Sequence, residues 1–511
     1  LYQLAPIDPL PGQPVSLTVY TGIDLSANQV ACYYTVDGSE PDGQRGQSEN
    51  ARVLFFEQSE VIWDAVAWGY VIRWRGTLPP QPEGTIVRYR IGAWSDTNDE
   101  VFADWPDVQE VAEKSAAAFF RGEKLPDVPL SKPDTPYTFT YHVDRLSPPA
   151  WAKDAVIYQV FVDRFYPGDD RNWLRANSLL DFYGGTLWGV RDKLAYIRDL
   201  GANCLWLSPV WSSPTHHGYD TTDFYQVEPR LGGNEALHTL VEAAHQHNIR
   251  IILDMACNHI SDQHPIFQEA LHNANSDYRQ WFTFEDTEIG YRTFFGVPSM
   301  PEVNVHHPTA KQWLIDIARY WLREFDIDGY RLDYANGPGP DFWSDFRLAC
   351  KAEKPDCFCF GEIVDHPASL RTYVGRLDGC LDFHLEDALR QTFAYHEWTE
   401  KDLERFIQRH YAYFEQAGDF ILPTFLDNHD MNRFLFAANG DKEALRRAAT
   451  FQMRLPQPPV IYYGTEVGLT QRSDKTTLGL EVSREPMPWG NHQDVDLFKY
   501  YQSLISKRIS G

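Results

Sequence analysis

Four short stretches place carboxylates, amides and imidazoles at the ends of apolar runs: Asp254 to His259, Gly329 to Asp333, Phe360 to Glu362, and Phe425 to Asp430. A packed core does not tolerate such groups unpaired, so each run is expected to deliver them to a cavity. Arg331 and Asp333 are two residues apart, which on a strand puts both on one face. A guanidinium beside a carboxyl favours the ionised form, so Asp333 is expected to stay charged. Glu362 follows Cys357, Phe358, Cys359 and Phe360, and desolvation among them favours its protonated form. One ionised nucleophile and one protonated acid are what retaining glycoside hydrolysis requires, with carboxyl groups ~5 to 5.5 Å apart. Asp430 adds a third carboxylate to brace a cationic transition state. Asn258, His259 and His429 offer directed hydrogen bonds to sugar hydroxyls.

The elements that must position these groups change character along the chain. After Pro148 and Pro149, short apolar runs alternate with amphipathic stretches, which predicts right-handed βαβ units and a parallel sheet. Candidate strands are 156–161, 204–208, 250–254, 329–333, 358–362, 380–383, 421–426 and 460–463. Eight strands predict an α/β fold, a (β/α)8 TIM barrel over 146–511 whose reactive groups lie where strands end. The sequence lacks the Gly-rich phosphate turn of an open doubly wound sheet. The stretch of about 260–305 has no ordinary crossover helix pattern and is expected to form a small inserted domain after strand three.

Residues 1–145 follow a different pattern. Val15, Leu17 and Val19, then Val87, Tyr89, Ile91 and Ala93 around Arg88 and Arg90, have the period of half-buried strands. Turns at Asp37-Gly38 and Pro82 to Gly84 separate such runs, so an N-terminal antiparallel β-sandwich is predicted. Pro126, Pro129, Pro133 and Pro136 stiffen a connection before a last strand, 137–143. Trp63, Trp68, Trp74 and Trp94 are expected to pack this module.

Composition narrows the partners. With 72 acidic and 46 basic residues among 511, the net charge of -26 repels nucleic acid and anionic lipid. No stretch reads as a membrane span. Seven cysteines, an odd number in a long chain, are expected as buried thiols. With no signal-peptide pattern at the start, they favour the cytoplasm. His245 and His247 diverge on a helix and are assigned no role.

In order and spacing the four clusters resemble the conserved regions of the α-amylase family, glycoside hydrolase family 13. His217, Tyr219, Asp220 and Asp223, and the run Met300 to Asn304, are further family-like segments. The resemblance implies Asp333 as nucleophile, Glu362 as acid/base and Asp430 as the transition-state carboxylate. It implies a sugar-binding shell of Tyr219, Asp220, Asn258, His259, Arg331 and His429, with Tyr219 as a stacking platform and Arg433 and Arg484 as sugar clamps. The N-terminal sandwich is similar to that of the cyclomaltodextrinase, neopullulanase and maltogenic amylase group. That similarity implies cleavage of α-1,4 and α-1,6 glucosidic bonds in cyclodextrins, pullulan or maltooligosaccharides, with transglycosylation. It also implies a homodimer in which the sandwich covers a partner's active site.

Three departures from the group stand out. After the nucleophile, this chain has Tyr334, Ala335, Asn336 and Gly337 where the group has Val-Ala-Asn-Glu. In the group's metal loop only Asp169 and Asn172 match, and Thr186 replaces an aspartate. A required cofactor is therefore not expected, and calcium would bind weakly at most. The last segment, 498–508, resembles the final barrel helix, and the group's C-terminal β-domain does not follow it. Two rival readings are a barrel kept as a binding module without chemistry, and a metal-dependent hydrolase using His259, His429 and the aspartates.

Overall fold

The computed structural model describes residues 3–22, 25, 27–64, 69–104, 136–415 and 418–510. Pro126, Pro129, Pro133 and Trp68 lie outside the described residues. The chain divides into two compact units, Leu1–Leu146 and Ser147–Gly511.

The first unit is two antiparallel sheets. One has the order β1 (Gln3–Ala5), β2 (Val15–Gly22), β6 (Gly69–Leu78), β5 (Glu57–Asp64); the other has β4 (Arg52–Phe55), β3 (Gln29–Thr35), β7 (Thr85–Trp94), β8 (Val101–Phe102). β9 (Phe139–Val143) extends the second sheet by pairing with β7 from Thr85 to Tyr89. The period-two pattern decides which faces meet: Val87, Tyr89 and Ile91 turn inward and pack with Leu17, Val30 and Trp74. Arg88 and Arg90 take the outer face, where both approach Glu40. Trp74 is buried and donates to Thr21 Oγ1 at 3.0 Å. Trp63 is half exposed instead, set edge-on to Tyr70.

The second unit is a closed parallel barrel. Seven strands form a continuous ladder in the order β17 (Gly379–Cys380), β16 (Phe358–Gly361), β15 (Gly329–Asp333), β14 (Arg250–Ala256), β11 (Cys204–Leu207), β10 (Ile157–Val160), β18 (Val460–Tyr462), and β12 (Trp211–Ser212) pairs with β13 (Asp223–Val227) apart from it. The eighth predicted strand, 421–426, differs from expectation. It makes isolated bridges only, Ile421 to Gly379 and Thr424 to Pro459. Proline is the reason: Pro423, Pro458 and Pro459 have no N–H to give, so a regular ladder cannot form there. Closure rests on a few backbone bonds, including Cys380 N to Ile421 O at 3.0 Å and Val460 N to Thr424 O at 2.7 Å. Gln452 Nε2 reinforces the seam by donating to Thr424 O at 2.9 Å. β17 is also shorter than expected, since Phe383 already begins a helix capped by Asp382.

Alternate residues of the strands fill the barrel interior: Ile157, Cys204, Trp206, Ile252, Phe358, Phe360 and Val460 form one buried cluster. The other set faces the outer helices, as where Tyr330 donates to Ala318 O of the helix Pro308–Glu324 at 2.7 Å. The stretch between β14 and that helix holds one α-helix, Pro265–His272, around Phe267, Trp281 and Phe282. It ties back to the barrel through a bridge between His259 and Glu302. The helix Val495–Ser510 closes the unit, burying Leu497, Tyr501 and Ile505.

Candidate active site

Strand register brings the polar strand ends together. β14 and β15 pair so that Asp254 lies opposite Arg331 and Ala256 opposite Asp333, while β16 sets Phe360 beside Arg331. The inward layer above the apolar core therefore consists of Asp254, Arg331 and Asp333, and Glu362 follows directly on β16. Arg331 is fully buried and meets three carboxylates. Nη1 donates to Asp254 Oδ1 at 2.7 Å and to Asp333 Oδ1 at 2.9 Å. Nη2 stands 2.8 Å from Glu362 Oε2, an ion pair without hydrogen-bond alignment.

Asp254 connects this group to the remaining predicted residues. Its Oδ2 accepts from Trp206 Nε1 at 3.0 Å and from the Tyr219 hydroxyl at 2.9 Å. That hydroxyl lies 2.7 Å from His429 Nε2, which faces Asp430 Oδ2 at 3.0 Å. Gln159 Nε2 contacts His429 Nδ1 at 2.9 Å. With the amide donating there, the neutral imidazole carries its proton on Nε2, toward Asp430. Arg484 completes the ring by donating from Nη2 to Asp430 Oδ1 at 2.9 Å. Asp333, Glu362 and Asp430, from three different barrel segments, thus border one polar cluster.

The charges are unevenly matched. Four carboxylates share two guanidinium groups, so full ionisation would leave a net charge of −2 in a desolvated site. Burial pushes Asp333 up to about 7 and outweighs the nearby Arg331. The expectation that Arg331 holds Asp333 low is corrected, because that single cation is divided among three acids. Glu362 is also raised by burial, as expected, and Asp254 rises to about 6. Asp430 behaves oppositely: although burial opposes ionisation, His429 and Arg484 hold it well below the usual carboxylate range.

The predicted sugar shell divides in two. His259 is buried, neither ring nitrogen has an aligned hydrogen bond, and desolvation lowers it to about 4. Asn258 is buried beside it, with its side-chain amide next to the Glu302 carboxylate. Tyr219 stacks against His429, with ring centroids 5.5 Å apart and planes 5° apart, and close to parallel with His217. Asp220 and Arg433 are engaged elsewhere. Asp220 accepts from Ser213 Oγ at 2.6 Å and Thr215 Oγ1 at 2.5 Å, bracing the loop that carries Tyr219. Arg433 donates to the carbonyls of Ser483 and Tyr463.

Sequence reasoning named Asp254 and Tyr334 without giving either a role, and missed Trp206 and Gln159. Tyr334 donates its backbone N–H to Glu362 Oε2 at 3.2 Å. Tyr334 adjoins Asp333 in the chain, whereas Trp206 and Gln159 are brought in by long-range pairing.

The residues matching the group's calcium loop do not suit a hard cation. Asp169 faces Arg191 Nη2 and Arg171 Nη2, each at 3.5 Å, and Asn172 is exposed. Thr186 donates to Pro167 O at 2.7 Å and caps the helix Leu187–Asp192. Two guanidinium groups stand where a dication would need oxygen charge. Among the described residues, no group of three His, Cys, Asp or Glu is arranged to hold a metal. A cavity of about 250 Å³ lined by Glu404, Ile407, Gln408, Phe451, Arg454 and Leu455 includes none of the cluster residues.

A parallel barrel with an insertion after its third strand and carboxylates at its strand ends defines a class of carbohydrate-active barrels. Residues 159–502 match the α-amylase catalytic-domain family model, and the chain belongs to the α-amylase family. It is 41% identical over 373 residues to alpha-amylase 2 of Dictyoglomus thermophilum, covering 72% of this chain and 65% of that protein. It is 34% identical over 385 residues to an intracellular maltogenic amylase of Bacillus subtilis, covering 73% of this chain and 64% of that one. The matched part thus spans a little under two thirds of these relatives. A cyclomaltodextrinase structure aligns over 99% of this chain and 83% of its own, with TM-score 0.65 and 27% identity.

Proposed function

We propose that the chain is a retaining α-glucan hydrolase acting by double displacement on α-1,4 and α-1,6 glucosidic bonds in cyclodextrins, pullulan or maltooligosaccharides. The observation that carries this reading is the convergence of Asp333, Glu362 and Asp430 around Arg331, Tyr219 and His429. Since the cluster carries more acid than cation and burial raises both Asp333 and Glu362, protons stay in it near neutrality. Of the two acids only Asp333 receives an aligned hydrogen bond from Arg331, so the active form is the one in which Asp333 has ionised and Glu362 keeps its proton. Glu362 Oε2 faces Arg331 and the Tyr334 N–H, so Oε1 carries the proton.

In the first step Glu362 gives this proton to the glycosidic oxygen as the C1–O bond breaks, and Asp333 Oδ2 bonds to C1. Asp430 faces the positive charge that develops at C1. In the second step Glu362 takes a proton from water attacking C1, and Asp333 leaves. A sugar hydroxyl in place of water gives transglycosylation.

All three carboxylates support this over the inactive-module reading. The metal-dependent reading is weakened by His429, whose nitrogens are engaged by Gln159 and Tyr219. The resemblance to the group supports a homodimer, and the seven buried free cysteines support a reducing compartment such as the cytoplasm. The reading predicts that Asp333→Asn folds normally and loses at least about 10³-fold in kcat on maltotriose. A variant with wild-type turnover would overturn it. Product analysis on cyclodextrin, pullulan, panose and starch then ranks the substrates.

A further inference from the structure

Nine non-glycine residues among those described have backbone φ in the left-handed region. Seven are Arg, Asp, Asn or His, types that tolerate this region or sit at turns; the other two are Phe295, at φ +46, and Tyr334, at φ +40. They come from distant parts of the barrel unit, yet their rings touch, with centroids 5.1 Å apart. Phe294 joins both, at 4.7 Å from Phe295 and 5.1 Å from Tyr334, and its ring also lies 4.6 Å from His259. Bulky residues persist in such a conformation where their surroundings over-determine it, and such positions cluster at functional sites.

We propose that Tyr334 is a positioning residue: the aromatic clasp of Phe294, Phe295 and Tyr334 fixes the backbone that aims the Tyr334 N–H at Glu362 Oε2, and so aligns the general acid. The inference rests on the assignment of Glu362 as acid/base. The clasp joins the insertion to the segment that follows Asp333 directly. That segment contacts Glu362 once more, where Ala335 N donates to Glu362 O at 2.9 Å, and on the strand just before it Leu332 O accepts from Glu362 N at 2.8 Å. The segment packs closely on the strand-end amide, since at Gly337 a Cβ would come within 1.9 Å of Asn258 Oδ1. With Oε2 held by the Tyr334 N–H and Arg331, Oε1 stays aimed at the glycosidic oxygen. Phe295, 74% exposed, carries the clasp out to solvent, so a sugar ring laid on it would press on the same alignment.

Leaving groups separate this role from a merely structural one. A maltotriose leaving group needs the proton from Glu362, whereas 2,4-dinitrophenol departs without it. Tyr334→Gly keeps the backbone freedom and N–H but removes the clasp; Phe295→Ala removes its outer member. Tyr334→Gly and Phe295→Ala are expected to lose about tenfold or more in kcat on maltotriose and less than about twofold on 2,4-dinitrophenyl α-maltoside, a fraction of the full effect of a general acid. Thermal melts identify any variant that fails to fold, and Phe295→Ala, at an exposed site, remains informative if Tyr334→Gly does not fold. Equal losses on both substrates, or no loss on maltotriose, would overturn the proposal. A Glu362→Gln control that keeps wild-type turnover on maltotriose would instead overturn the acid/base assignment.

Discussion

Replacing Asp254 with Asn tests the electrostatics of the cluster. The amide keeps the size of the carboxylate, and Arg331 keeps Asp333 and Glu362 as counter-ions, so no unpaired charge is left buried. Asp254 is wholly buried, and its pKa rises from the ordinary 3.8 to about 6. A raised carboxyl pKa means that the folded state binds the proton more tightly than the unfolded chain. Its stabilising contribution is complete below about pH 3.8 and is lost as pH climbs through about 6. At 1.36 kcal/mol per pH unit, the difference between 3.8 and about 6 amounts to about 3 kcal/mol. This is an upper value, since Arg331 and its other acids readjust. Wild type and Asp254→Asn should be unfolded in urea at intervals from pH 4 to pH 8, following tryptophan fluorescence of the barrel transition. The wild type is expected to lose stability relative to the variant across this window. A difference between the two that does not vary with pH, or that grows in favour of the wild type as pH rises, would refute the reasoning.

Other outcomes follow from single contacts. Trp206→Phe keeps the ring but removes the N–H that Asp254 Oδ2 accepts, and should cost about 1–3 kcal/mol in urea unfolding; a loss below about 0.5 kcal/mol would show that the bond is replaced. Thr186→Val removes a helix cap and the partner of Pro167 O, a loss of about 2 kcal/mol by the same measurement. Because Asp169 already faces two arginines, neither EDTA nor millimolar calcium should move the melting temperature, and a clear rise with calcium would contradict this. All seven cysteines are buried, so a thiol reagent should label fewer than one per chain before unfolding and about seven after it.

Much of the barrel is visible in the sequence because its strands are short apolar runs that end abruptly in polar residues. Seven of eight form the ladder for that reason. The eighth fails as a strand because its apolar character, Ile421 to Leu426, says nothing of whether a neighbour can donate a hydrogen bond. Pro423 lies within the run, and Pro458 and Pro459 precede the strand beside it, so the cost appears only once the strands are side by side. The three carboxylates are legible as strand-end acids. Their ionisation is less so: a local argument pairs Asp333 with Arg331, whereas the fold gives that guanidinium to Asp254 and Glu362 as well. Asp254 itself lies in an apolar strand buried on both faces, where alternation no longer marks a direction. Tyr334 is marked in the sequence only as a departure from the group's run, since its left-handed backbone and its contact with Phe295 arise from tertiary packing.

The proline-interrupted seam has a bearing on how the molecule comes apart. Asp333 and Glu362 follow neighbouring strands joined by a regular ladder, whereas Asp430 follows the segment that only bridges its neighbours. Deuterium uptake should therefore reach the amides of Ile421 and Thr424 well before those of β14 and β15. On heating, the first species to lose turnover would have Asp333 and Glu362 still side by side and Asp430 swung away, a form that recovers on cooling as long as the remaining staves hold.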